Sequence, residues 1–187
     1  MAGSAPILVT AFEPFGPIRG HIPGLRGNRS EGVLEQLRTE YHGSANLAFE
    51  VLPVSGSGCD LLEARLSQGP AGVLLMGEAL LAGLRLELRA RDPKSQIGPI
   101  PLPGAQWRTS PFAESIAEEM KSRGVSTATG IGTYYCNRAY WLAQEWAERM
   151  GNRPTVFFHM GLLASLQWQC GVIQEALARM VRSTPAS

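Results

Sequence analysis

The sequence has few of the residues that bind metals or cross-link secreted proteins. It contains three cysteines, Cys59, Cys136 and Cys170, and no pair of them is spaced as CxxC. An odd number of cysteines without such a spacing argues against a disulfide framework. The three histidines lie far apart in the chain and no HExxH motif is present. We therefore expect no metal site.

The chain also lacks an excess of charge of either sign and a long apolar run. Its 17 basic and 16 acidic residues form no run of one sign, which argues against a nucleic-acid partner and an anionic membrane surface. No stretch reaches the roughly eighteen apolar residues of a membrane span, and the opening MAGSAPILVTAF lacks the features of a signal peptide. We therefore predict a cytoplasmic protein.

What the sequence does contain is an alternation of strand and helix patterns. With 187 residues, it is long enough to bury a sizeable core as one domain over residues 1–187. Strand patterns cover residues 6–12, 47–54, 71–76, 84–90, 125–131 and 155–158. Helix patterns cover residues 30–40, 57–66, 111–122, 139–150 and 165–182. This order predicts an α/β fold, a three-layer α/β/α sandwich around a mostly parallel twisted sheet.

Two local features precede the first helix. Ser30 is its predicted N-cap, because a serine hydroxyl can accept a hydrogen bond from the first turn. Residues 17–29 are rich in glycine and proline without sustained periodicity, so we predict a loop there.

The strongest chemical signal lies in GIGTYYCNRAYWLAQEWAERM, residues 130–150. The glycines indicate a strand end and a tight turn, which places Cys136 at or just before the start of the following helix. Unpaired N–H groups and the partial positive charge at a helix start favour a thiolate over a thiol. Cys136 is therefore a candidate nucleophile. The alternative is a small apolar residue packed beneath a turn.

Two further side chains could assist such a nucleophile. His159 follows the apolar run 155–158 and so emerges at a strand end, where open α/β sheets place their chemistry. Glu87 lies in LRLELRARD, where apolar and charged residues alternate, and shares a face with three arginines. A cysteine hydrolase uses an imidazole base and a carboxylate that orients it. The alternatives are a core histidine and a solvated cross-strand ion pair.

Four short motifs, AFEPFG, ELRARD, GTYYCN and FFH, occur in that order. They resemble those of pyroglutamyl peptidase I, also called pyrrolidone-carboxylate peptidase, over residues 7–163. The resemblance implies a Glu–Cys–His triad at Glu87, Cys136 and His159, a mixed sheet, no cofactor, and assembly as homodimers or homotetramers. It also implies a cysteine peptidase that removes an N-terminal pyroglutamyl group from blocked peptides through a thioester. Cys59 and Cys170 match no motif of the family and are interpreted as structural.

The resemblance also implies a substrate pocket. Phe12 and Phe15 match two aromatic residues that help to hold the pyrrolidone ring, a small, flat and uncharged group suited to apolar walls. Tyr134 and Tyr135 flank the nucleophile and are expected to line the same pocket. The alternative for each phenylalanine is a place in the core.

Two segments depart from the family. In GEALLAG, residues 77–83, leucines replace glycines of a GxAGGR loop, and Glu78 stands where many members carry an uncharged residue. Glu78 is expected to border the substrate. Members of the family carry an arginine before an IPDN motif. This chain has no arginine at that place, and Gln96 is the residue nearest to the position. These departures leave two alternatives open, an amide hydrolase with another N-terminal substrate and a catalytically silenced binding or assembly protein.

Overall fold

A computed structural model describes residues 5–15, 27–97, 100–101 and 104–184. Most of the predicted loop 17–29 lies outside these residues. Strands and helices follow one another as β1 Ile7–Phe12, α1 Arg29–Glu40, β2 Leu47–Leu52, α2 Gly56–Leu66, β3 Gly72–Ala79, β4 Leu84–Glu87, β5 Arg89–Arg91, β6 Gln96–Ile97, β7 Ile100–Pro101, β8 Trp107–Thr109, α3 Pro111–Ser122, β9 Ser126–Ala128, α4 Tyr135–Arg149, β10 Thr155–Gly161 and α5 Leu166–Ser183.

The main sheet has six strands in the order β2-β1-β3-β10-β4-β9. Neighbouring strands are parallel except β10 and β4, which are antiparallel, so the sheet is mixed and mostly parallel. The central strands β3 and β10 are apolar along almost their whole length and buried on both faces. Strands of this kind need helices on both sides, and the predicted α/β fold is confirmed.

Alternate residues of the sheet pack into two separate cores. Leu74, Val156 and Phe158 belong to a core with α1, α3 and α5. Leu75 and Phe157, one position away on the same strands, belong to a core with α2 and α4. We call these the α1 face and the α4 face of the sheet. Because successive residues of a strand point to opposite faces, each residue near a strand end is committed to one of them.

The start of α1 corrects one prediction, because Ser30 is not the N-cap. Asn28 is the N-cap, and its side-chain oxygen accepts hydrogen bonds from the Ser30 backbone N–H at 3.0 Å and the Ser30 hydroxyl at 2.8 Å. The Ser30 Oγ in turn accepts from the Phe12 N–H at 3.2 Å. Ser30 therefore fastens the end of β1 to α1, and it is fully buried.

Several predicted strand boundaries were also wrong. The strand predicted over 84–90 breaks at Leu88, because the Leu88 N–H donates to Ala128 O and β5 then pairs with β8 in a separate sheet. The strand predicted over 125–131 is reduced to β9, at the edge of the main sheet. β3 extends to Ala79, beyond the predicted end at 76, and β2 ends at Leu52, before the predicted end at 54. β10 runs to Gly161, so His159 lies inside the strand and not at its end as predicted. Among the described residues, no helix is both long and apolar enough to cross a membrane.

Candidate active site

Cys136 is the second residue of α4. The helix begins after Tyr134, whose side chain makes no capping hydrogen bond, while its carbonyl accepts from the N–H groups of Asn137 and Arg138. The first N–H groups of a helix have no partner within the helix. The sequence thus predicted the location of Cys136 correctly, and its backbone N–H lies at the positive end of α4.

Gly77 on β3 allows the Cys136 thiol to approach the sheet. A Cβ at position 77 would lie 2.9 Å from Cys136 Sγ and 2.9 Å from Phe157 Cζ, closer than real Cβ contacts. Gly77 is paired with His159 across β3 and β10. Adjacent strands are about 4.8 Å apart, so the thiol lies over β3 beside the strand position of His159, on the α4 face.

The His159 imidazole is joined to Glu87. His159 Nδ1 donates to Glu87 Oε1 at 2.7 Å, and the exposed fractions of the two residues are 4% and 0%. A carboxylate can only accept, so this bond places a proton on Nδ1 and leaves Nε2 as the nitrogen available to exchange a proton. An unprotonated Nε2 is the form that can take a proton from a thiol. The Phe157 ring supports the imidazole edge-on, with ring centroids 4.9 Å apart.

The thiolate expected at the start of α4 is opposed by burial. The pKa of the Cys136 thiol is raised to about 12, chiefly by burial and also by the negative charge of Glu87, against a hydrogen bond from the Cys136 backbone N–H. Loss of hydration outweighs the partial charge of the helix start because the sulfur lies against the core of the α4 face. Burial thus favours the thiol form of Cys136 over the thiolate in the free protein.

Sequence reasoning missed two residues that fasten α4 to the strands. The Asn137 side chain accepts from the Arg91 N–H at 2.8 Å and donates to Arg91 O at 2.9 Å. The hydroxyl of fully buried Tyr140 donates to the backbone carbonyl of Glu87 at 2.9 Å. These bonds set the position of Cys136 relative to Glu87. Asn137 could have been identified from the sequence, because it is a polar residue on the otherwise apolar, buried side of the helix.

Arg85 was also missed as a member of the site. Its Nε donates to Glu87 Oε1 at 2.6 Å, and its Nη2 lies 3.4 Å from His159 Nδ1. The alternation in LRLE placed Arg85 and Glu87 on one face, so the ion pair itself was foreseeable. It is not a solvated pair, however, because the Glu87 side chain is fully buried.

The predicted aromatic pocket residues divide into two groups. Phe12 is buried on the α4 face, and it lies two residues beyond the last β1–β3 pair, Thr10 with Leu75, at the level of Gly77. Tyr135 packs against the same core. Phe15 and Tyr134 are exposed, at 40% and 67%. The structure thus brings Phe12 and Tyr135 to the core beneath Cys136 and leaves the other two rings at the surface.

Glu78 is not brought to the α4 face. It follows Gly77 on β3 and is paired with Met160, which packs in the core of the α1 face. Its Oε2 accepts from the backbone N–H of Arg29, the first residue of α1, at 2.6 Å. The carboxylate therefore stabilises the start of α1, where a negative charge is favourable. Gln96, the nearest counterpart of the family's arginine, lies in β6.

Replacing Glu78 with glutamine should lower the free energy of unfolding by about 1 kcal/mol, since the charge at the helix start and the charge-assisted hydrogen bond are lost. Substrate preference should not change. Urea denaturation followed by circular dichroism measures the first effect, and hydrolysis of a panel of N-terminally varied amides measures the second. Glu118→Gln on the surface of α3 is the control, since its pair with Lys121 is exposed. A changed preference in Glu78→Gln would restore Glu78 to the pocket.

No protein-family model and no curated protein matches the sequence. The structure is nevertheless similar to a pyrrolidone carboxyl peptidase from Thermococcus litoralis, with a TM-score of 0.73, 20% identity, and coverage of 95% of this chain and 94% of that chain. It is also similar to the pyrrolidone carboxyl peptidase from Fervidobacterium islandicum AW-1, with a TM-score of 0.73, 22% identity, and coverage of 96% of this chain and 99% of that chain. For pyroglutamyl peptidase I from Bacillus amyloliquefaciens the TM-score is 0.72 and the identity 20%, with coverage of 98% of this chain and 100% of that chain. Over nearly its whole length, this chain has the fold of the pyrrolidone carboxyl peptidases.

Proposed function

We propose that this protein is a cysteine peptidase that removes an N-terminal pyroglutamyl group from peptides. The observation that carries the proposal is the buried hydrogen bond between His159 Nδ1 and Glu87 Oε1, on the sheet face where Gly77 admits the Cys136 thiol. Nucleophile, base and orienting carboxylate thus come from α4, β10 and β4, as a cysteine hydrolase requires. The shared fold with pyrrolidone carboxyl peptidases supports the choice of substrate.

In the first half of the reaction, Cys136 Sγ attacks the pyroglutamyl carbonyl carbon while His159 Nε2 accepts the thiol proton. Because the pKa of the thiol is raised to about 12, this proton transfer accompanies the attack and does not precede it. The negative charge moves to the carbonyl oxygen, which unpaired N–H groups at the start of α4 stabilise. The imidazolium then returns the proton to the leaving amine, and the C–N bond breaks to give a thioester.

In the second half, His159 Nε2 takes a proton from water, whose oxygen attacks the thioester carbonyl. The C–S bond breaks, the sulfur recovers the proton, and pyroglutamate leaves. Glu87 accepts the hydrogen bond from His159 Nδ1 throughout, and it stabilises the imidazolium in both halves of the reaction. Each step is completed by protein groups and water.

We assign the pyroglutamyl ring to the edge of the α4 face, between Phe12 and the tyrosines that precede and begin α4. A flat lactam without charge suits apolar and aromatic walls. Phe15 and Tyr134 are exposed, and we assign them to the rim of this pocket. As further parts of the proposal, the enzyme acts in the cytoplasm as a homodimer or homotetramer.

Hydrolysis of a fluorogenic pyroglutamyl amide under reducing conditions tests the function. We expect turnover by the unchanged protein and a loss on the order of 10,000-fold or more in Cys136→Ala, because removing the nucleophile disables the whole triad. Cys170→Ala is the matched control, since Cys170 is buried in the core of the α1 face. It should retain its turnover.

Two other results would assign a different function. Turnover of another amide in a wider panel, with none of the pyroglutamyl amide, would favour the altered hydrolase. A folded protein without turnover on any amide would favour a silenced binding or assembly protein.

A further inference from the structure

Arg85 and His159 donate to the same oxygen of Glu87. Arg85 Nε lies 2.6 Å and His159 Nδ1 2.7 Å from Oε1. Within the part of the chain that the structure describes, the other carboxylate oxygen, Oε2, is buried without a hydrogen-bond partner. The β10–β4 register pairs His159 with Arg85 directly, so the two side chains are strand neighbours on one face. The carboxylate is thus shared and does not serve the imidazole alone.

The ion pair between Arg85 and Glu87 disfavours a second positive charge beside it. Arg85 and Glu87 already form an ion pair, and the Glu87 side chain is fully buried. An imidazolium at His159 would lie with its Nδ1 3.4 Å from Arg85 Nη2, and like charges that close repel in a site with little water. Titratable groups from the other elements packed against the site include Cys136 and Tyr140 from α4 and Cys59 from α2.

We propose that Arg85 is a positioning residue that shares the Glu87 carboxylate with His159 and thereby lowers the reactivity of the Cys136 thiol. The inference builds on the proposed triad, and it concerns the free protein before any substrate binds. Cys136 is a half-buried cysteine at a helix start, where the partial charge of the helix alone would favour the thiolate. Burial and the charge of Glu87 raise the pKa of the thiol, and the Arg85 guanidinium makes the compensating imidazolium less favourable.

Removing the positive charge of Arg85 should therefore make Cys136 more reactive. In Arg85→Gln the amide can still donate to Glu87, but the positive charge is gone and Glu87 can stabilise an imidazolium fully. The thiolate–imidazolium pair then becomes more populated. We expect the rate of Cys136 alkylation by iodoacetamide at pH 7 to rise about tenfold, as one unit in the acid–base equilibrium implies. Arg85→Lys keeps the charge and should stay near the original rate.

The experiment follows alkylation of each cysteine by peptide mass spectrometry, with thiolate absorbance at 240 nm as a second readout. Arg89→Met is the matched control, since Arg89 is exposed on β5. Cys59 and Cys170 are buried and report unfolding, because only an unfolded variant would alkylate all three cysteines faster. If Arg85→Gln does not fold, Arg85→Met is measured with the same expectation.

An unchanged or lower alkylation rate of Cys136 in the folded variant would overturn the proposal, and so would an increase in Arg85→Lys equal to that in Arg85→Gln. The assay uses no peptide substrate. A failure here therefore leaves the proposed peptidase function standing, and a failure to hydrolyse the pyroglutamyl amide leaves the role of Arg85 standing.

Discussion

Glu87→Gln should lower the kcat/KM for a pyroglutamyl amide by about 10,000-fold while the protein stays folded. Glutamine has nearly the same shape as glutamate, but its amide cannot stabilise an imidazolium, and its NH₂ group can displace the Nδ1 proton of His159. A wrong tautomer would place the proton on Nε2, where it blocks proton transfer from Cys136. The measurement is steady-state hydrolysis, with circular dichroism to verify the fold.

Glu50→Gln is a matched control for this substitution. Glu50 also lies on a strand of the main sheet and pairs with an arginine, Arg65, at 2.5 Å. It has no histidine partner in its ion pair, so its loss should leave kcat/KM unchanged. If Glu87→Gln kept its activity within tenfold of the original, Glu87 would be a structural partner of Arg85, and another group would have to orient His159.

The sequence was sufficient for Cys136, which was predicted at a helix start and lies there. His159 was predicted at a strand end, but β10 continues to Gly161, because pairing with β3 extends the strand beyond the apolar run. The hydrogen bond between His159 and Glu87 was foreseen from the resemblance, while the backbone reason for it is the antiparallel β10–β4 register. That register could not be derived from periodicity, since an alternating strand pairs equally well in either direction.

The sheet face toward which a side chain points, and the burial of a side chain, could not be predicted from local sequence patterns. Glu78 was assigned to the pocket because it adjoins a departing loop, but the strand continues through it and its side chain turns to the start of α1. The thiolate expectation for Cys136 used the helix start alone. Burial against the sheet is a tertiary property, and it outweighs the local effect.

Gly77→Ala should lower both the free energy of unfolding and the turnover number, although it adds a single methyl group. The new Cβ would stand 2.9 Å from both Cys136 Sγ and Phe157 Cζ, so one of them has to move. Phe157 is fully buried and contacts the rings of Tyr140 and His159, so the thiol is the group with more freedom to shift. We expect the free energy of unfolding to fall by roughly 1–3 kcal/mol and kcat to fall about 100-fold, as a displacement near 1 Å implies.

Urea denaturation and steady-state hydrolysis measure the two effects separately, and Gly83→Ala supplies the comparison. A Cβ at Gly83 would meet no atom within 4 Å and its backbone is not in the left-handed region, so this nearby substitution should change neither quantity. Retained activity in Gly77→Ala would mean that the thiol reaches the acyl carbon from a position away from the sheet. The assignment of the nucleophile to the space between β3 and His159 would then be wrong, even if Cys136 itself remained essential.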